Sequence, residues 1–418
     1  MSAYRPFLVC LMLSFLALHV SAQPKTDNWL RELLETQASP FLKEILNKPE
    51  VYEYQIIYTQ INRDKNNKPH FKHYLLNVDA NRYFYPASTV KLPTVLTALE
   101  KLNDLHLNGV NKYTSMLTDS AFAGQSKMLA DTSAENKLPS IAHYIKKVFL
   151  VSDNDAYSRL YEWVGQQTLN EKLWAKGYKN THLTRRFFVM SDENHRHTNP
   201  VRFMDSTGKL LYEQPAAYST LKFDFSKNHS ILRTYYNSKN KLINDTLNLS
   251  THNTFPLQDQ HQILQSVIFP ASVSAKQRFN LTADDYNFLY DAMSKLPPES
   301  KYPKYDTTVF FDSYAKFFNY RAGKNKIPDY IKIYNKSGWA YDFLTDNTYI
   351  IDTKNNVEYM ISAVINLNRD KVYKNRFETT GYPFFKEVGN IIYNYELSRP
   401  RKHKPALAKL MALPGKDN

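Results

Sequence analysis

Pro86-Ala87-Ser88-Thr89-Val90-Lys91 is the stretch that decides the reading of this chain. On a helical turn, a serine and a lysine three positions apart lie on one face, with the amine one turn from the hydroxyl. Such a lysine can take the serine proton if it spends time neutral, which burial and neighbouring cations favour. The pattern alone selects nothing, because Ser206 with Lys209, Ser219 with Lys222, Ser238 with Lys241 and Ser313 with Lys316 repeat it. Context selects Ser88: it follows two strand-like segments, opens an apolar helix, and is the only match that precedes the two motifs described below. Pro93 cannot donate to the Thr89 carbonyl, so a separate tight turn is expected at Ser88 in place of regular helix.

Working outward, residues 52–62 and 71–78 alternate with period two around the polar 63–69 stretch, as a hairpin with a longer loop does. Short β-rich runs return at 330–335, 348–352 and 358–367, separated by turn signals. Between the two β groups the spacing of apolar residues predicts helices over 91–102, 141–149, 155–165, 169–176 and 283–296, with a last one over 384–397. The expected fold is therefore α/β in the α+β sense. An antiparallel sheet is formed from N- and C-terminal segments and flanked by helices, with an all-α lobe over about 88–300. No repeat or Gly/Ser-rich linker divides the chain, so 23–398 is read as one catalytic unit, followed by a solvated basic tail over 399–418.

Two further motifs occur once each. Ser152-Asp153-Asn154 falls between two predicted helices, where Ser152 can relay a proton, Asn154 can hold a substrate amide and Asp153 can brace the loop. Taken alone it reads equally as a helix N-cap. Lys336-Ser337-Gly338 ends a β-rich run, and alone it reads as a strand meeting a turn. Gly338 would let a substrate lie against the strand, Lys336 and Ser337 would bind a carboxylate, and the Trp339 N–H would join that of Ser88 in an oxyanion hole.

In this order the three motifs resemble the signature of class A β-lactamases and related penicillin-binding proteins. The resemblance spans about 52–397. It implies that Ser88 is the acylated nucleophile, Lys91 its base, Ser152 the proton relay and Lys336 a charged neighbour, with Asn154, Ser337, Gly338 and Trp339 on the substrate. The substrate would be a small β-lactam or a peptidoglycan-like peptide, with no cofactor. The family's Glu-x-x-Leu-Asn loop is missing: in the equivalent stretch, roughly 184–200, Glu193 is the only glutamate and the substitute candidate for activating water. The interval from Ser152 to Lys336 is also longer than in compact members, and the excess is placed at 186–260. Its tyrosines, Tyr212, Tyr218, Tyr235 and Tyr236, are read as packing. The expected activity is β-lactam hydrolysis. The alternatives are a penicillin-binding D-alanyl-D-alanine peptidase or carboxyl esterase that releases its acyl group slowly, and a non-catalytic envelope-binding protein.

The remaining composition is consistent with these classes. Residues 1–22 carry Arg5, an apolar core and a small-residue site ending at Ala22, as a cleaved signal peptide does, so a periplasmic or secreted monomer is expected. The single cysteine, Cys10, lies inside that segment, which leaves the mature chain without disulfides or thiol chemistry. A formal charge of +14 suits an anionic envelope surface, though a compositional bias gives the same figure. No nucleic-acid-binding module is present. His195-Arg196-His197 lacks a third ligand because position 199 is Asn, so these are read as surface histidines and no metal is expected.

Overall fold

The computed structural model describes residues 24–226, 228, 231–232, 234–236, 241–367 and 375–407. The proposed signal peptide with Cys10, and the end of the tail from 408, lie outside them. Among the described residues no helix is long and apolar enough to cross a membrane.

The scaffold is a five-stranded antiparallel sheet of β1 (Gln55–Arg63), β2 (Pro69–Leu76), β3 (Ile331–Ala340), β4 (Phe343–Asp352) and β5 (Val357–Asn366), in the order β3-β4-β5-β1-β2. The N-terminal hairpin joins strands from the far end of the chain through Gln55↔Val364 and Tyr58↔Ile361, so the split sheet expected from the sequence is present. Every residue of β4 and β5 is buried, because both faces of the sheet are covered. One face receives Leu30 and Leu34 of an N-terminal helix and Phe384, Phe385, Val388 and Ile392 of the last helix. The other packs on the helical lobe, whose core includes Leu96, Leu99, Ile145, Leu160, Trp163 and Leu264.

Helices α1 (Lys91–Leu105), α2 (Ile141–Val151), α3 (Asn154–Val164) and α4 (Leu257–Ile268) build that lobe. The predicted helices sit where the apolar spacing put them, with ends displaced by a few residues. The lobe is not purely helical. Ser115–Thr118, Val201–Met204 and Leu210–Gln214 form a three-stranded sheet, and short strand pairs lie in the 186–260 region. Two- to five-residue strands leave too brief an alternation to be read against the helical background.

The tail also departs from the expectation at its start. The buried Glu396 carboxylate draws in Arg399, whose Nε lies 2.7 Å away, and Arg401, while Arg399 also donates to the Ile61 carbonyl and Asn62. A carboxylate cannot be buried without partners, and these arginines supply them. Lys402 and Lys404 are exposed as the solvated reading requires.

Candidate active site

Ser88 lies in a single turn of 3₁₀ helix, Ala87–Val90, that runs into α1. Pro93 accounts for the separate turn, as the sequence indicated, since its ring nitrogen leaves the Thr89 carbonyl without the usual donor. The turn is tied by Thr89, whose N–H and hydroxyl both donate to the Pro86 carbonyl at 3.2 and 2.7 Å. Ala87 is held at φ +46°, a conformation that costs a residue with a Cβ energy and recurs at functional sites. Ser88 is half-buried, and among the described residues no hydrogen bond uses its N–H or its hydroxyl.

The second motif is placed by two helix ends. Ser152 caps the C-terminus of α2 in the left-handed conformation (φ +59°), and Asp153 caps the N-terminus of α3 by accepting from the Ala156 N–H at 2.8 Å. Both the loop and the N-cap readings of Ser152-Asp153-Asn154 therefore describe it. The third motif lies on β3, an edge strand that packs against the Ser88 turn. A Cβ placed on Gly338 would lie 2.6 Å from the Ser88 nitrogen and 3.0 Å from the Pro86 oxygen, so only glycine permits this approach.

Two lysine amines converge on Ser152. The Lys91 amine, fully buried, donates to the Ser152 carbonyl, to Asn154 Oδ1 at 2.7 Å and to Ser152 Oγ at 3.3 Å. From the opposite side the buried Lys336 amine reaches Ser152 Oγ at 2.9 Å and the Ser337 carbonyl at 2.8 Å. One hydroxyl is thus held between two lysine amines. Burial, then the like charge of Lys336, pushes the Lys91 amine well below the usual lysine range, against the pull of Asp153. Burial brings Lys336 down to about 7, with Asp346 opposing and Lys316 reinforcing the shift.

The other candidates are placed differently. Ser337 is fully buried and donates to the Ala315 carbonyl at 2.8 Å, so its hydroxyl is already engaged, contrary to the expectation that it faces substrate. The chain from Ser313 to Phe317 covers that side of β3. Trp339 is half-buried, its ring against Tyr314 and Phe317 at 5.8 and 5.7 Å. Glu193 sits on the exposed short helix Asp192–Arg196, its carboxylate 3.4 Å from His197 and 4.0 Å from Arg196. No described carboxylate hydrogen-bonds Lys91. The rings of Phe187 and Tyr157 lie over its amine instead, at 5.1 and 5.9 Å.

The loop carrying Phe187 is anchored by groups the sequence reading passed over. Arg186, fully buried, donates to Glu162 at 2.9 Å, to Asn199 at 3.1 Å and to the carbonyls of Asn194 and His197. Glu162 also pairs with Arg159 at 3.1 Å. His195 is buried, not on the surface: its Nδ1 accepts the Arg186 N–H at 3.2 Å, and burial takes it down to about 3. His197 stacks on Phe122 at 3.6 Å. Among the described residues no group of three or more His, Cys, Asp or Glu could hold a metal.

The 186–260 region braces the site with Asn253, which accepts the Thr184 and Arg185 N–H groups. Tyr212 packs on Trp163 and Phe203, and Tyr218, half exposed, on His197. Tyr235 meets Tyr341 at 6.2 Å. The side chain of Tyr236 lies outside the described residues.

Residues 38–217 match the family model described as the beta-lactamase enzyme family. That span holds the Ser88 turn and Ser152-Asp153-Asn154, the first two of the three motifs that resemble the family's signature, on a mixed helix and antiparallel-sheet fold. No curated protein matches the chain. Similar solved structures include a β-lactamase from Sphaerobacter thermophilus, with 10% identity, 90% of this chain and 100% of that one covered, and a TM-score of 0.47. A β-lactamase from Xanthomonas campestris has 13% identity, 88% and 97% coverage and a TM-score of 0.48. A mutant of PBP-A, solved as an acyl-enzyme complex with penicillin G, has 13% identity, 89% and 98% coverage and a TM-score of 0.46.

Proposed function

We propose that this protein is an exported serine acyl-hydrolase that reacts through Ser88 with β-lactams or D-alanyl peptides and releases the acyl group slowly. One observation carries the reading: the Ser152 hydroxyl is held between the amines of Lys91 and Lys336, both depressed by burial.

In acylation the Lys91 amine, once unprotonated, takes the proton from Ser88 Oγ, which attacks the carbonyl. The Ser88 and Trp339 N–H groups receive the oxyanion. As the C–N bond breaks, Ser152 gives its proton to the departing nitrogen and is reprotonated by the Lys336 ammonium. Asn154, its oxygen committed to Lys91, keeps its amide N–H to donate to the substrate carbonyl.

Among the described residues deacylation lacks an evident base. Glu193 is exposed and paired with His197, and Phe187 and Tyr157 present apolar faces to Lys91. Slow release is therefore favoured over rapid β-lactam turnover. The test is intact mass spectrometry after exposure to benzylpenicillin: one adduct on the wild type and none on Ser88→Ala supports the reading, and an unmodified wild type overturns it.

A further inference from the structure

The accidental motif match at Ser313 and Lys316 sits directly behind the site. Lys316 is buried, and its amine donates to the carbonyls of Met293 at 2.6 Å and Ile333 at 3.0 Å and to Asn335 Oδ1 at 2.7 Å. The amide of Asn335 in turn donates to the Ala315 carbonyl and to Asp346 Oδ1, both at 2.8 Å. The other Asp346 oxygen accepts the Phe317 N–H at 3.0 Å, and Ser337 closes the circuit on Ala315. Ser313 itself is fully buried, and among the described residues its hydroxyl has no partner.

We propose that Lys316 is a positioning residue for the acylation reaction, a clamp that fixes Asn335 and Ser337 on either side of Lys336 so that the Lys336 amine reaches Ser152. This rests on the role given to Lys336 above. The amine is saturated by three oxygen acceptors and has no route to substrate. Its acceptors come from two segments, the last turn of the Ala283–Ser294 helix and, twice, β3, and Asn335 carries the network on to the Ala315 carbonyl of the strap. Removing it leaves two buried carbonyls without donors and frees Asn335 to turn, and the register of Lys336 then depends on β-pairing alone.

The charges argue for more than a staple. Lys336 faces Asp346 from β4, Lys91 from α1 and Lys316 from the strap; Lys316 faces Asp346, Glu299 and Lys332. Lys316 and Asp346 act on Lys336 with opposite signs, so the proton held by Lys336 depends on the pair.

The test is the rate of Ser88 acylation by benzylpenicillin from pH 5 to 9 in the wild type, Lys316→Met, Asp346→Asn and Ser313→Ala. Expected are a loss of at least about tenfold in Lys316→Met with a displaced alkaline limb, and an alkaline limb in Asp346→Asn that moves to lower pH because Lys336 loses its carboxylate. Ser313→Ala stays within about twofold. A Lys316→Met rate within twofold of wild type, or a uniformly lower rate with an unmoved limb, overturns the inference. Hydrogen exchange at the Asn335–Ser337 amides reads the clamp independently. A wild type that takes no acyl group contradicts the acylation reading, and faster exchange in Lys316→Met would then still support the clamp, whereas unchanged exchange would remove it.

Discussion

Gly338→Ala is the substitution whose outcome the structure fixes most narrowly. The added Cβ would stand 2.6 Å from the Ser88 nitrogen, 3.0 Å from the Ala87 Cβ and 3.0 Å from the Pro86 oxygen. Comfortable contact needs roughly 3.5–4.0 Å, so β3 and the Ser88 turn must separate by about 1 Å. The nearest atom is backbone and cannot rotate away. Ala87 already occupies a strained φ, which leaves the turn little freedom to yield. Overpacking of this kind costs about 1–3 kcal/mol of stability. The functional loss is larger, because the displaced nitrogen is the proposed oxyanion donor, and losing one such donor costs about 10²–10³ in rate. Stopped mixing with benzylpenicillin followed by intact mass measurement gives the acylation rate, and urea denaturation gives the stability. A variant that folds, loses 1–3 kcal/mol and acylates at least about 100-fold more slowly fits the account. Acylation within threefold of wild type would refute the argument that Ser88 N–H and β3 jointly form the site.

Further outcomes follow from other buried groups. Glu162→Gln leaves the buried Arg186 without its carboxylate and Arg159 with Asp155 alone, and should cost about 3–5 kcal/mol in urea denaturation; a loss under 1 kcal/mol would contradict the anchoring role of the Glu162 pairs. His261, buried between Thr59 and Ser362, is pulled by burial from 6.5 to about 3. Below pH 6.5 the unfolded chain therefore binds a proton that the folded chain does not, and stability falls with pH. Between pH 6.5 and 5 this one group accounts for roughly 2 kcal/mol, so His261→Asn should show a shallower acid loss than wild type, and an equal slope would contradict the assignment. Lys91→Met removes the proposed base while keeping its apolar stem, and acylation should fall at least about 10²-fold at pH 7 in the same mass assay; a rate near wild type would assign the proton transfer to another group.

The sheet was legible because its strands are long and bounded by turn signals, and the Ser88 turn because Pro93 forbids regular helix there. Lys91, Ser152 and Lys336 were legible as motifs, and they meet at one hydroxyl. What sequence could not show was direction and company. Ser337 reads as a substrate ligand until Ala315, 22 positions away, is seen to hold it. Phe187 and Tyr157 carry no spacing signal that would place them over an amine. Lys316 matched a catalytic pattern by accident, and nothing local distinguishes a lysine bolted to three carbonyl-type oxygens from one on the surface. His195 and Arg399 were misread as solvated because their partners, Arg186 and the buried Glu396, are set by tertiary packing.

The central claim is that Ser88 is acylated and that its ester persists. The direct measurement is to label the protein with benzylpenicillin, remove the excess, follow the intact mass over hours at pH 7, and map the adduct to a peptide. The account predicts a single adduct on the peptide containing Ser88 that is still present after many minutes. Return to the unmodified mass within seconds, or an adduct on any other serine, would contradict it.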